Sequence, residues 1–133
     1  MDDLTAADLL AVPLFADLSE PFRQHLAGEF EVEEYGAGHA IVREGEPGYA
    51  FYVISSGTVS VTQAGKELRT MGPGDFFGEI SIAGDGRRTA TVTATSPVVA
   101  WVLFGTDFRV LEDSRPDIAA ALASAIADRL ATG

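Results

Sequence analysis

The spacing of apolar residues changes twice along the chain. Up to Gly28 it is helical and comes in two pieces; from Phe30 to Phe104 short runs alternate apolar and polar; from Gly105 it is helical again. Thr5-Ala-Ala-Asp8 reads as a capping box that opens a short first helix. Ser19 caps a second, with Pro21 in its first turn and Gly28 just past its end. Pro13-Leu14-Phe15, between them, is expected to be an apolar connector packed on the core.

In the middle segment, Gly36-Ala37-Gly38 and Glu46-Pro47-Gly48 mark turns. Phe51–Ile54 and Thr58–Val61, joined by Ser55-Ser56-Gly57, read as a hairpin. Gly65 turns the chain into Lys66–Met71, and Gly72-Pro73-Gly74-Asp75 forms another turn. Thr89–Ala94 and Val98–Phe104 complete the series around Ser96-Pro97. So many short strands without interleaved helices predict a mainly β fold, an antiparallel jelly roll, and argue against a parallel α/β sheet. Thr106-Asp107 then starts a short helix ending near Asp113. Ser114-Arg-Pro-Asp117 is expected to cap a final helix, along which Ile118, Leu122, Ile126 and Leu130 form one apolar stripe. With no repeat or linker, residues 1–133 are expected to make a single domain: helices over about 2–28, a β-roll over about 30–104, and C-terminal helices over about 105–131.

Composition narrows the function. A chain of 133 residues, 47% hydrophobic and 22% charged, is ordinary for a globular fold. Its net charge of −11 argues against a nucleic-acid partner and against acidic membranes. There is no cysteine, hence no disulfide framework and no thiolate zinc site. No apolar run approaches the roughly 20 residues that span a bilayer, and the N-terminus lacks the basic and apolar regions of a signal peptide, so a cytoplasmic location is expected. His25 and His39 lie far apart, and no His-x-His cluster with a nearby glutamate exists. A metal-dependent cupin enzyme is therefore disfavoured; no metal, no cofactor and no catalysis are expected.

Against this acidic background, Phe76–Val92 carries Arg87 and Arg88 side by side, shortly after a lone Glu79. Gly78-Glu79-Ile80-Ser81-Ile82-Ala83 is expected to form one or two helical turns before Gly84 and Gly86 end them. A helix start exposes unpaired N–H groups and partial positive charge, a cradle for phosphate. The planar fork of Arg88 matches phosphate oxygens. Glu79 would repel an anion, so beside Arg88 it suits sugar hydroxyls, and the two together describe a nucleotide. Taken singly, each residue also has a plainer reading. Glu79 is then a carboxylate stabilising a helix start, Arg87 a solvated charge, Thr89 a strand residue, and Val61 and Leu68 core positions.

The pairing of Phe-Gly-Glu-Ile-Ser-Ile (77–82) with Arg-Arg-Thr-Ala-Thr-Val (87–92) resembles the phosphate-binding cassette of cyclic nucleotide-binding domains. These occur in bacterial cAMP-receptor regulators, kinase regulatory subunits and nucleotide-gated channels. Pro13-Leu-Phe15, Arg43–Gly48, Ser56–Val59 and Gly72–Asp75 extend the resemblance over nearly the whole chain. It implies that Glu79 binds the ribose 2′-hydroxyl, with the Gly78 backbone nearby. Arg88 would pair with the cyclic phosphate, helped by N–H groups around Ile80 and Ser81, and Thr89 would add a hydroxyl contact and reach the base. Val61 and Leu68 would line the purine. Leu122, Ile126 and Arg129 of the final helix would form a lid that carries no stacking aromatic. Arg87 stands where proline is frequent, and strand alternation turns it outward.

The implied function is a non-enzymatic sensor for cAMP, or less often cGMP, that moves its C-terminal helices and acts on a protein effector. The final helix is most simply a packing helix, with a homodimer contact as an added role. The alternatives are a degenerate relative that only binds proteins, and a fragment of a larger sensor.

Overall fold

The computed structural model describes residues 4–46, 50–78 and 90–132. By contact density the chain falls into a helical unit, residues 1–31 with 106–133, and a β unit, residues 32–105.

The helical unit opens with α1 (Ala6–Leu10). Its capping box closes both ways: Thr5 Oγ1 accepts the Asp8 N–H at 3.3 Å, and Asp8 Oδ2 accepts the Thr5 N–H at 2.9 Å. Pro13-Leu14-Phe15, expected as an apolar connector packed on the core, is packed there as a turn of helix, α2 (Pro13–Ala16). Proline suits the first helical position, and the turn buries Leu14 and Phe15. In α3 (Glu20–Glu29) Ser19 caps as expected, but Gly28 lies inside the helix. The helix runs on because the N–H of buried Phe30 still reaches the Leu26 carbonyl, while the Phe30 ring meets Phe15 edge to face at 5.7 Å. Arg23, buried in α3, donates to the Leu18 carbonyl.

The C-terminal part consists of α4 (Gly105–Ser114) and α5 (Pro116–Thr132), with α5 beside α2. Ser114 does not cap α5. It ends α4, its hydroxyl donating back to the Val110 carbonyl at 2.8 Å, a bond that competes with capping the next helix. Asp117 sits in the first turn of α5 with Arg115 across it, at 3.1 and 2.9 Å. That hydrogen-bonded guanidinium holds Asp117 below the usual carboxylate range. Along the expected stripe, Ile118 and Leu122 are fully buried and Ile126 is half-buried.

Among the described residues the β unit holds eight strands: β1 (Glu31–Tyr35), β2 (Ala40–Val42), β3 (Ala50–Ser56), β4 (Val59–Gln63), β5 (Lys66–Met71), β6 (Phe76–Gly78), β7 (Thr91–Ala94) and β8 (Val98–Phe104). They form two four-stranded sheets, ordered β1-β8-β3-β6 and β2-β7-β4-β5, the strand order of a jelly roll. One expectation fails here. Phe51–Ile54 and Thr58–Val61 are not a hairpin, because β3 and β4 belong to different sheets. Both edges of β3 are taken, by β8 and by β6, so the chain leaving it must cross over. It crosses at Gly57, whose φ is +89°; a Cβ there would lie 2.2 Å from the Pro97 carbonyl oxygen. The real hairpin is β4–β5, closed by Ala64-Gly65 with φ of 52° and 79°. Two positive φ values match the twist of the flanking strands.

Alternation sets one face of each sheet inward. Tyr52, Ile54, Val59, Val61, Phe77, Val92, Ala94, Val98, Ala100 and Val102 form a continuous buried cluster. Tyr52 and Phe77 stack at 4.8 Å. Tyr35 packs against the cluster, and burial first, then the nearby Tyr52 and Glu33, pushes its phenol from 10.0 up to about 12.

The crossover predicts a contrast between two glycines of equal φ. Gly38, also at +89°, has open space where its Cβ would stand. Gly57→Ala is expected to cost at least about 2 kcal/mol more than Gly38→Ala in urea unfolding, the difference being the clash rather than the backbone conformation. Equal costs would remove the crossover argument.

Candidate functional site

The site is framed by the strands that enter and leave the motif. Strand β6 ends at Gly78, paired with Phe51 of β3 in the first sheet. Strand β7 begins at Thr91 in the second sheet, between β2 and β4. Residues 79–89, which connect them, lie outside the described residues. That span contains Glu79, Ile80, Ser81, Arg87, Arg88 and Thr89, together with the expected short phosphate-binding helix.

The entry to the motif is tightly fixed. Gly78 has φ of +102°, and a Cβ on it would lie 2.3 Å from the Ala50 carbonyl oxygen and 3.2 Å from the Tyr52 ring. A close backbone approach of this kind accepts only glycine. The resemblance sets the Gly78 backbone near the ribose, while β6 has no mark in the sequence, since three strand residues between a turn and a glycine give almost no periodic signal. The turn before β6 is also built: the Gly72 N–H donates to Asp75 Oδ2 at 2.9 Å, and Ile54 N–H donates to the Asp75 carbonyl at 2.8 Å.

The exit is fixed by register. Val92 lies opposite Val42 on one side and Val61 on the other, and Thr91 opposite Thr62. The last residues before β7, Arg88 and Thr89 among them in the sequence, therefore precede a strand that is flanked by the strand of Val61. Val61 itself is buried in the inner cluster. Leu68 is different. It was expected to count as core, yet it is 50% exposed. The β4–β5 register steps from Val61↔Arg69 to Thr62↔Glu67, so Leu68 is the extra residue of a β-bulge and has no partner position across the ladder. Arg69, which sequence reasoning did not single out, lies directly opposite Val61 and so shares its face of the sheet. Nothing in the sequence marked it; only the register does.

The lid candidates belong to the helical unit. Leu122 is fully buried in α5, Ile126 half-buried, and Arg129 exposed. Among the described residues no group of three or more His, Cys, Asp or Glu is placed to hold a metal, and no helix is long and apolar enough to cross a membrane.

Comparison with known proteins identifies the class. The family model of the cyclic nucleotide-binding domain matches residues 32–115. The cGMP-dependent protein kinase egl-4 of Caenorhabditis briggsae is 42% identical over 97 residues, which cover 68% of this chain and 13% of the kinase. The cAMP-dependent protein kinase regulatory subunit of Hypocrea atroviridis is 33% identical over 87 residues, covering 65% of this chain and 19% of that subunit. A crystal structure of a cyclic nucleotide-binding domain from Methylobacillus flagellatus KT superposes with a TM-score of 0.84 over 96% of this chain and 76% of that one; at 21% identity this likeness shows the fold. The chain belongs to the cyclic nucleotide-binding domain family. This chain spans only a small part of the length of its curated relatives.

The exposed bulge makes a prediction. Leu68→Ala is expected to change unfolding free energy by no more than about 0.5 kcal/mol. Val61→Ala, which opens a cavity in the inner cluster, should cost about 1–3 kcal/mol. A comparable loss at Leu68 in chemical denaturation would return it to the core.

Proposed function

We propose that this chain is a sensor module that binds a purine 3′,5′-cyclic monophosphate between the motif of residues 78–89 and the β4–β5 hairpin. The observation that carries the reading is the register Val61↔Val92. It sets the strand that follows the motif beside the strand that carries Val61, which supports a reading in which phosphate and purine contacts lie close together. In this reading Arg88 pairs with the cyclic phosphate, with Thr89 and the N–H groups of Ile80 and Ser81 assisting. Glu79 accepts hydrogen bonds from the ribose hydroxyls, and Gly78 lets the backbone come close. Val61 and Leu68 flank the base. Binding shifts the positions of α4 and α5, with Leu122, Ile126 and Arg129 as the lid, and the shift is read by an effector protein in the cytoplasm. The net charge is no obstacle, because short-range N–H groups and one guanidinium outweigh distant screened charges.

Family habit among bacterial-type domains favours cAMP. Arg69 supplies a specific reason for cGMP. An arginine near the base can donate two hydrogen bonds to O6 and N7 of guanine, whereas adenine turns an amino donor toward it. The relatedness to cGMP-dependent kinases supports the same choice.

Calorimetric titration with both nucleotides separates these assignments. Arg88→Ala is expected to cost about 2–5 kcal/mol of binding free energy, and Arg87→Ala much less. Arg69→Ala should weaken cGMP by roughly tenfold more than cAMP, since a good bidentate base contact is worth about 1–3 kcal/mol. Equal losses at the two adjacent arginines would overturn the phosphate assignment. Equal losses of both nucleotides at Arg69 would overturn the guanine contact.

A further inference from the structure

Glu44, in the loop between β2 and β3, holds two distant pieces of chain. Its carboxylate accepts the Ala64 N–H, at 3.0 Å through Oε1 and 3.3 Å through Oε2. Its own N–H donates to Thr91 Oγ1 at 3.0 Å. The first contact reaches the turn of the β4–β5 hairpin, and the second reaches the first residue of β7. We propose that Glu44 is a positioning residue for nucleotide binding, one that ties the β4–β5 hairpin to the first residue of β7, the strand that follows the 78–89 motif in the chain.

Both anchor points are places where the ladder alone gives little hold. Ala64 is the one non-glycine residue with positive φ among the described residues, 52°, a conformation that alanine occupies at a cost. A charge-assisted bond to its N–H favours that turn over others. Thr91 forms the last β4–β7 pair, with Thr62, and strand ends fray. Holding its hydroxyl fixes where β7 begins relative to the hairpin. The neighbouring ion pair, Arg43 Nε to Glu46 Oε1 at 3.8 Å, is exposed on both sides and contributes little. The two contacts of Glu44 therefore make a clasp: without them the hairpin and the start of β7 keep their ladders but lose their fixed spacing. A nucleotide that touches both would then have to restore that spacing on binding, at the expense of affinity.

This inference rests on the nucleotide reading above, and its test separates the two. The wild-type chain, Glu44→Ala, Glu44→Gln and Thr91→Val are each titrated with cAMP and with cGMP, and their melting temperatures are measured without nucleotide. Glu44→Ala is expected to weaken whichever nucleotide the wild type binds by about tenfold, the size of one charge-assisted hydrogen bond. Its nucleotide-free melting temperature should stay within a few degrees of wild type. Glu44→Gln keeps an acceptor oxygen and should recover most of the affinity. Thr91→Val, which leaves Glu44 in place, should weaken binding in the same direction. If Glu44→Ala and Thr91→Val both bind like wild type, or if Glu44→Gln loses as much as Glu44→Ala, the clasp is not a positioning device. If the wild type binds neither nucleotide, the function proposed above fails first.

Discussion

Strand β3 is hydrogen-bonded along both edges, to β8 on one side and to β6 on the other. That double occupancy governs the rest of the roll. The chain cannot return beside β3 after Ser56, so it crosses to the second sheet through Gly57, under the Pro97 carbonyl. It next pairs with β3 as β6, over Phe76–Gly78, where a Cβ on residue 78 would lie 2.3 Å from the Ala50 carbonyl oxygen. The segment that follows must travel from the first sheet to the second, where β7 receives it at Thr91. Glu79 and Arg88 sit near the two ends of that crossing in sequence. A carboxylate at one end and a guanidinium at the other suit a ligand with hydroxyls at one edge and an anion at the other.

The second sheet carries the residues proposed to flank the base. Its inner face is apolar around Val61 and Val92, while the bulge at Leu68 interrupts the ladder and leaves an apolar side chain half in solvent. Bulges re-aim side chains, and this one lies next to Arg69, which is paired with Val61. The same irregularity sets Arg69 opposite Val61, bringing a polar donor to a face that is otherwise hydrocarbon. Burial, close backbone approach and register each act on a different strand, and together they frame one region of the β unit.

Much of this was legible in the chain. Periodicity gave the strand-rich middle and the helical ends, the capping box at Thr5 closed as written, and the motif pointed to the family that comparison established. What could not be read was partnership. Ser55-Ser56-Gly57 has the composition of a hairpin turn, and only the occupied edges of β3 decide otherwise. Gly28 looked like a helix end, but Phe30, buried against Phe15, draws the helix past it. Ser114 looked like a cap and bonds backward. Leu68 and Arg69 owe their places to a one-residue slip between strands, and a slip leaves no trace in hydrophobic spacing. Local chemistry marked Glu79 and Arg88; nothing local marks Glu44, whose contacts lie 20 and 47 residues away.

Amide hydrogen exchange with and without saturating cyclic nucleotide tests the central claim most directly, because it reports where the ligand sits as well as whether it binds. The account predicts added protection at residues 78–91 and along β4 and β5, with β1 changing little. Unchanged exchange with both cAMP and cGMP, or protection confined to elements away from this region, would contradict it.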